Sequence, residues 1–285
     1  MIEKMELFEV LNTLTYLASA FFLFFIGKMA YGIFNKNINV NRELVDNDNV
    51  AFSTSMVGYY AGLVTALGGA IIGPSNGMVD DLINIGIYGL LAIILLNISA
   101  KINDKFVFSG FFMSKEILTD RNLGTGIIEA ANYFSTGLII HGAVTGQGGG
   151  IITAVVFWAA AQVLFFLAAK VYNLITPYNI HEEIEKDNVA VGVGYAGALI
   201  AIAFLIKTGI KGDFESWYDH FLTLGIDVSI GFVFLPIARF LTDKILLPTR
   251  NLTDEIVNQE HPNVGAALVE AFAYIGGAVL ISWTL

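Results

Sequence analysis

Cysteine is absent from the 285 residues, which excludes disulfides and thiol chemistry and leaves the redox compartment unread. Charge is scarce: Asp, Glu, Lys and Arg make up 14% of the chain, with 25 acids against 15 bases. Most acids share short loops with the bases, and no basic stripe exists for nucleic acid. There is no Gly-rich phosphate loop, no Ser-His-Asp set and no cofactor fingerprint. The loops on the base-rich side are short, roughly 10–20 residues, too short for a soluble catalytic domain. An enzyme, a cofactor and a bound metal are therefore not expected.

What the chain has is apolar length. It is 55% hydrophobic, with a mean hydropathy of +0.68, far from a soluble average. Apolar runs recur at about 20 residues, the helical length that crosses ~30 Å of hydrocarbon. They fall near 9–35, 49–73, 80–103, 122–145, 151–176, 188–210, 218–242 and 263–285. Helices are expected, because each satisfies its own backbone in lipid. The first run does not read as a cleavable leader: Glu3, Glu6 and Glu9 make its leading segment acidic and no small-x-small site follows.

The chain is also written twice. At an offset of 139, Asp48, Asn49, Val50, Ala51 and Gly58 align with Asp187, Asn188, Val189, Ala190 and Gly197. The same offset carries Asp104-Lys105 onto Asp243-Lys244. At 141, Asn122 to Ile140 aligns with Asn263 to Ile281. Repetition separates polar residues stated twice from those stated once.

Topology follows the bases. Twelve lie in the segments after the first, third, fifth and seventh runs, Arg239 among them; only Lys4, Lys207 and Lys211 lie opposite. The positive-inside rule makes the first side cytoplasmic and both termini extracytoplasmic. Four helices per half is an even number, so the halves run parallel. The expected fold is an all-α membrane protein of eight transmembrane helices as two parallel four-helix repeats, 1–146 and 151–285. A flexible external Gly-rich joint, 147–150, links them.

Two repeated motifs carry chemistry. Asp48-Asn49 and Asp187-Asn188 open apolar runs on the cytoplasmic side. They read either as N-caps, where Asp or Asn accepts from first-turn amides, or as the floor of an ion entry. Glu129 and Glu270 each lie seven residues after an asparagine, Asn122 and Asn263, hence ~10 Å into a helix. Tyr133 and Tyr274 follow one turn later. A carboxylate at that depth costs several kcal/mol unless protonated, paired or facing water. The alternatives are a protonated glutamate tying helices together and a carboxyl that handles protons or cations. Asp227 is a third deep acid, present in one half only, with Pro236 nine residues on. No base is read at that depth to neutralise these acids. His181-Glu182-Glu183 lacks the second histidine of a zinc motif and reads as solvated loop. Gly58-x-x-x-Gly62 permits close helix contact.

Leu118-Thr119-Asp120 and Leu252-Thr253-Asp254 precede the helices that start Asn-x-Gly with a glutamate two turns in. With Asp-Asn before an apolar helix, this pattern resembles the YjfL-like bacterial inner-membrane proteins called domain of unknown function 350. The resemblance covers essentially the whole chain as two tandem copies. It implies a multi-pass inner-membrane protein and supplies no mechanism. The leading functional expectation is a transporter- or channel-like protein in which Glu129, Glu270 and Asp227, with Tyr133 and Tyr274, handle protons or cations. The alternative is a scaffold that docks a cytoplasmic partner. Expected partners are the bilayer and a proton or small cation; a homo-oligomer is allowed and nucleic acid is not expected.

Overall fold

The computed structural model describes residues 2–72, 75–107, 113–247 and 250–285, with side chains from residue 9 onward. The side chains of Glu3, Lys4 and Glu6 lie outside the described residues. One pattern occurs four times: a long helix, a short helical turn, a second long helix. The first unit is α1 (Ile2–Phe34), a π-helical turn (Arg42–Asp46) and α2 (Val50–Ile71). The second is α3 (Met78–Phe106), α4 (Met113–Leu118) and α5 (Leu123–Val144). The third is α6 (Ile151–Ile175), α7 (Ile180–Glu185) and α8 (Val189–Ile210). The fourth is α9 (Trp217–Leu241), which runs on into a π-helical turn (Thr242–Leu246), then α10 (Leu252–Ile256) and α11 (Val264–Thr284). No strand occurs among the described residues. Seven of the long helices are apolar and long enough to cross a membrane. The one outside that set is α5, whose apolar run is broken by Glu129, Asn132 and His141.

The short turns explain where the second helices start. Each of α2, α5, α8 and α11 is capped by an asparagine. Asn49, Asn122, Asn188 and Asn263 accept from the backbone amides of Phe52, Thr125, Val191 and Ala266 at 3.0–3.2 Å. Each asparagine amide also donates to a glutamate of its own short turn: Glu43, Glu116, Glu183 or Glu255. Three reach further. Asn49 donates to the carbonyl of Ile117 at 2.8 Å, Asn122 to that of Ile184 at 2.6 Å, and Asn188 to that of Ile256 at 2.9 Å. Each unit is thereby tied to the next through a carbonyl of the following short turn.

Several expectations change here. The caps are asparagines; Asp48 and Asp187 sit just before them in the left-handed region, at φ 45° and 60°. Glu183 is a member of α7 that holds Asn188, so His181-Glu182-Glu183 is a structural turn and not a solvated loop. The Leu-Thr-Asp elements are out of register. Leu118–Asp120 follows the Glu116-Ile117 pair, whereas Leu252–Asp254 precedes Glu255-Ile256. The joint at 147–150 is pinned. The Gln147 amide donates to Asp213 at 2.7 Å, and the Gln147 carbonyl accepts from Phe214 at 2.7 Å.

The helices form two layers. α2, α5, α8 and α11 pack side by side in one row, with α1, α3, α6 and α9 against its flank. The inner row is close because its contacts are nearly backbone to backbone. A Cβ added at Gly62 would stand 2.2 Å from the Tyr133 carbonyl oxygen, and one at Gly197 would stand 2.4 Å from the Ala271 Cα. In lipid such van der Waals contact drives association, since tails are as apolar as side chains.

Asn188 is 5% exposed, and its replacement by alanine strips a cap and orphans the Ile256 carbonyl. We expect Asn188→Ala to destabilise by about 2 kcal/mol or more. Asp187→Gly should stay within about 1 kcal/mol of wild type, because glycine takes the left-handed conformation freely. Melting of the purified proteins in detergent ranks them; equal losses would return the anchoring role to the aspartate.

Candidate functional site

Glu129 lies two turns into α5 and is half-buried. It accepts from the Ser55 hydroxyl of α2 at 2.6 Å. Tyr133 follows one turn later and is 4% exposed. Its ring stands edge-on to Tyr59, 5.2 Å between centroids, and Tyr59 is edge-on to Tyr31 at 4.9 Å. The Tyr59 hydroxyl donates to the Gly27 carbonyl and accepts from Asn97. Asp104 of α3 is close enough to act on Glu129 electrostatically, and one of its oxygens is buried without a hydrogen bond among the described residues. No lysine or arginine comes within 4.0 Å of Glu129 among those residues. Lys101 of α3 acts on Glu129 only beyond ion-pair distance and donates to Asn35 at 2.8 Å.

Glu270 occupies the matching place in α11 and is treated oppositely. It is 0% exposed. The Arg239 guanidinium of α9 donates to it at 2.5 Å, and the Tyr274 hydroxyl at 3.0 Å. The other end of the guanidinium donates to Thr253 at 3.2 Å and lies over the Tyr178 ring. The second Glu270 oxygen has no hydrogen bond among the described residues and lies against Gly194. At the 139-residue offset Gly194 matches Ser55 and Arg239 matches Ala100. The second half thus has a glycine where the first has a serine, and a base where the first has an alanine. This corrects the expectation that no base neutralises the deep acids: Arg239 lies inside α9, not in a loop. The alignment carried the signal, four residues before Asp243.

A polar stripe runs up α5. Thr125, Glu129, Asn132 and Thr136 stand at helical spacing on one face. Asn103 of α3 donates to Asn132 at 2.7 Å and to Thr136 at 3.4 Å. Trp158 of α6 donates to Ser99 of α3 at 2.8 Å. Gln162, one turn beyond Trp158, is 5% exposed. Orphaned polar atoms gather here: Asn103 Oδ1, Asn132 Nδ2, Thr125 Oγ1, Ser135 Oγ and both Gln162 atoms. Buried groups of this kind call for a polar partner, and none is present among the described residues. None of the stripe above Glu129 recurs: Asn132, Ser135 and Thr136 match Ala273, Gly276 and Gly277. Ser55, Asn103 and Gln162 went unread in the sequence, and Asp104 was read only as a mark of the repeat, because their importance depends on which helices meet.

Asp227 is not brought to either site. It is 5% exposed, lies against Gly209 of α8, and stands ~18 Å along α9 from Arg239. Asn49, Asn122, Asn188 and Asn263 serve the short-turn latches described above and frame both sites from that end of the bundle.

The model of a family described as Domain of Unknown Function (DUF350) matches residues 5–144 and again residues 148–285. A UPF0719 transmembrane protein of Aquifex aeolicus (strain VF5) is 21% identical over 270 residues, covering 93% of this chain and 97% of that protein. No solved structure matches. With two successive matches that span nearly its whole length, the chain is a multi-pass membrane protein that belongs to the DUF350 family as a tandem double copy.

Proposed function

We propose that the chain moves protons or small cations across the bacterial inner membrane, with Glu129 as the working carboxylate. The observation that carries this reading is the α5 stripe: a half-buried acid with no basic partner, continued by Asn132 and Thr136 into a seam of orphaned polar atoms. A buried carboxylate without a counter-ion is expensive, and a polar line without internal partners is equally so. Both costs are offset if the seam passes a cation or proton. In this reading Glu270 is a structural ion pair, and Asp227 stands outside the path. The protein is non-enzymatic, with eight spanning helices as two parallel halves, α5 among them because its polar face is turned inward. The short turns and their bases are cytoplasmic and both termini are outside. A scaffold is the second reading, favoured by the sealing of Glu270.

Three outcomes test this. In proteoliposomes, Glu129→Gln should cut flux at least tenfold while the protein folds normally, and Asp227→Asn should leave flux near wild type. A wild type that passes no proton, sodium, potassium or divalent ion under a gradient would sink transport and leave the scaffold. For topology, Asp46→Cys is exposed on a chain with no other cysteine. It should resist an impermeant thiol reagent in intact cells; labelling would invert the orientation. For the ion pair, Arg239→Met leaves Glu270 buried and unpaired, and should cost about 3–5 kcal/mol. Adding Glu270→Gln should recover much of that loss, since the neutral amide needs no counter-ion. Additive losses in detergent melts would mean the two groups are not coupled.

A further inference from the structure

The orphaned atoms of the α5 seam are balanced between donors and acceptors. Asn103 Oδ1 and Gln162 Oε1 accept, Asn132 Nδ2 and Gln162 Nε2 donate, and the Thr125 and Ser135 hydroxyls do both. The balance holds whichever way the amides are turned. Asn103 and Asn132 spend one donor and one acceptor on each other, so either orientation leaves one of each free. These side chains are at most 5% exposed. A dehydrated metal cation takes oxygen ligands only and is repelled by N–H groups. Water satisfies both kinds, and a buried water typically makes about three bonds to groups otherwise unpaired.

The seam also has a direction. Trp158 of α6 donates to Ser99 of α3. One turn along these helices, which run the same way, Gln162 reaches the level of Asn103. Asn103 in turn holds Asn132, about one turn beyond Glu129. At the other end Phe157, the neighbour of Trp158, lines a cavity of about 530 Å³ opposite the short turns, with Asp81, Tyr88, Thr145 and Gln147 in its wall. The seam exists once. Asn103, Asn132 and Gln162 match Thr242, Ala273 and Leu23 at the two offsets, so it forms only where α3 and α5 of the first half meet α6 of the second.

We propose that the substrate is the proton, carried on a chain of water molecules that Asn103, Asn132 and Gln162 hold between the cavity and Glu129. The inference rests on the transport role proposed above and narrows its substrate class. Each transfer hands one proton from oxygen to oxygen along the chain and onto the Glu129 carboxylate, which releases it on the side of the short turns. No metal ion moves with it, so each transfer carries one positive charge.

The test uses the purified full chain in proteoliposomes that enclose a pH-sensitive dye, in N-methylglucamine salts free of sodium and potassium. Under a pH gradient the wild type should move protons. Sodium and potassium tracers should enter no faster than into protein-free vesicles. Gln162→Leu and Asn132→Leu should each cut proton flux at least tenfold, although Glu129 is untouched. The melting temperature of Gln162→Leu should hold or rise, because leucine removes an amide whose two polar atoms are both unpaired among the described residues. A packing role alone would give the reverse, a lower melting temperature with flux kept. Should the leucine variants fail to fold, the unbranched Gln162→Met carries the same test. Unchanged proton flux in the folded variants overturns the inference and leaves transport by Glu129 in place. So does a wild type that passes sodium or potassium and no protons. A wild type that passes no ion at all refutes the transport reading and this inference with it.

Discussion

The constraint on which this structure depends is that polar groups taken into a bilayer must find partners inside the protein. Asparagine answers it at the head of each inner helix. Its carbonyl oxygen satisfies a first-turn amide, and its amide group satisfies the glutamate of the preceding turn. In three of the four units it also satisfies a carbonyl of the next unit. Asparagine is suited to this because a single short side chain holds both donors and acceptor, where aspartate is acceptor only. The latch sets the depth of each inner helix, and therefore the depth of Glu129 and Glu270, two turns beyond a latch.

Once the latches set the depth, packing sets the neighbours. The glycine contacts of α2, α5, α8 and α11 bring backbones together and leave little room for side chains between them. The polar stripe of α5 is consequently turned toward α3 and α6, the outer layer. There Asn103 bonds Asn132 and Thr136, and the outer helices bring further buried polar groups, Ser99 bonded by Trp158 and Gln162 one turn on.

Duplication then allowed the two copies to diverge. The same glutamate faces a serine hydroxyl in one half and a guanidinium in the other. The exchange needs only two changes, Ser55 against Gly194 and Ala100 against Arg239. The glycine is part of it, because a side chain there would collide with the Glu270 carboxylate. A buried ion pair is a costly way to gain stability, which suits a copy whose charge is fixed in place. The copy without the base is the one in contact with the orphaned polar seam.

The chain's own order determined class, helix positions, duplication and the depth of the paired glutamates, because these follow from apolar length, spacing and self-similarity. Family membership was legible for the same reason. Part of the fold was present but unread: a glutamate followed by Ile or Leu, then an asparagine before an apolar run, occurs at Glu43, Glu116, Glu183 and Glu255 and marks four units. The uneven spacing from glutamate to asparagine, six, six, five and eight residues, hid it. Only the tertiary structure decided which asparagine reaches which carbonyl and that Arg239 turns inward to Glu270. It also decided that Asp227 stands apart and that the α5 stripe meets α3 and α6. The physical reason is that periodicity specifies a side chain's face and depth on its own helix. Charge compensation and hydrogen bonding depend on what another helix, distant in sequence, places opposite it.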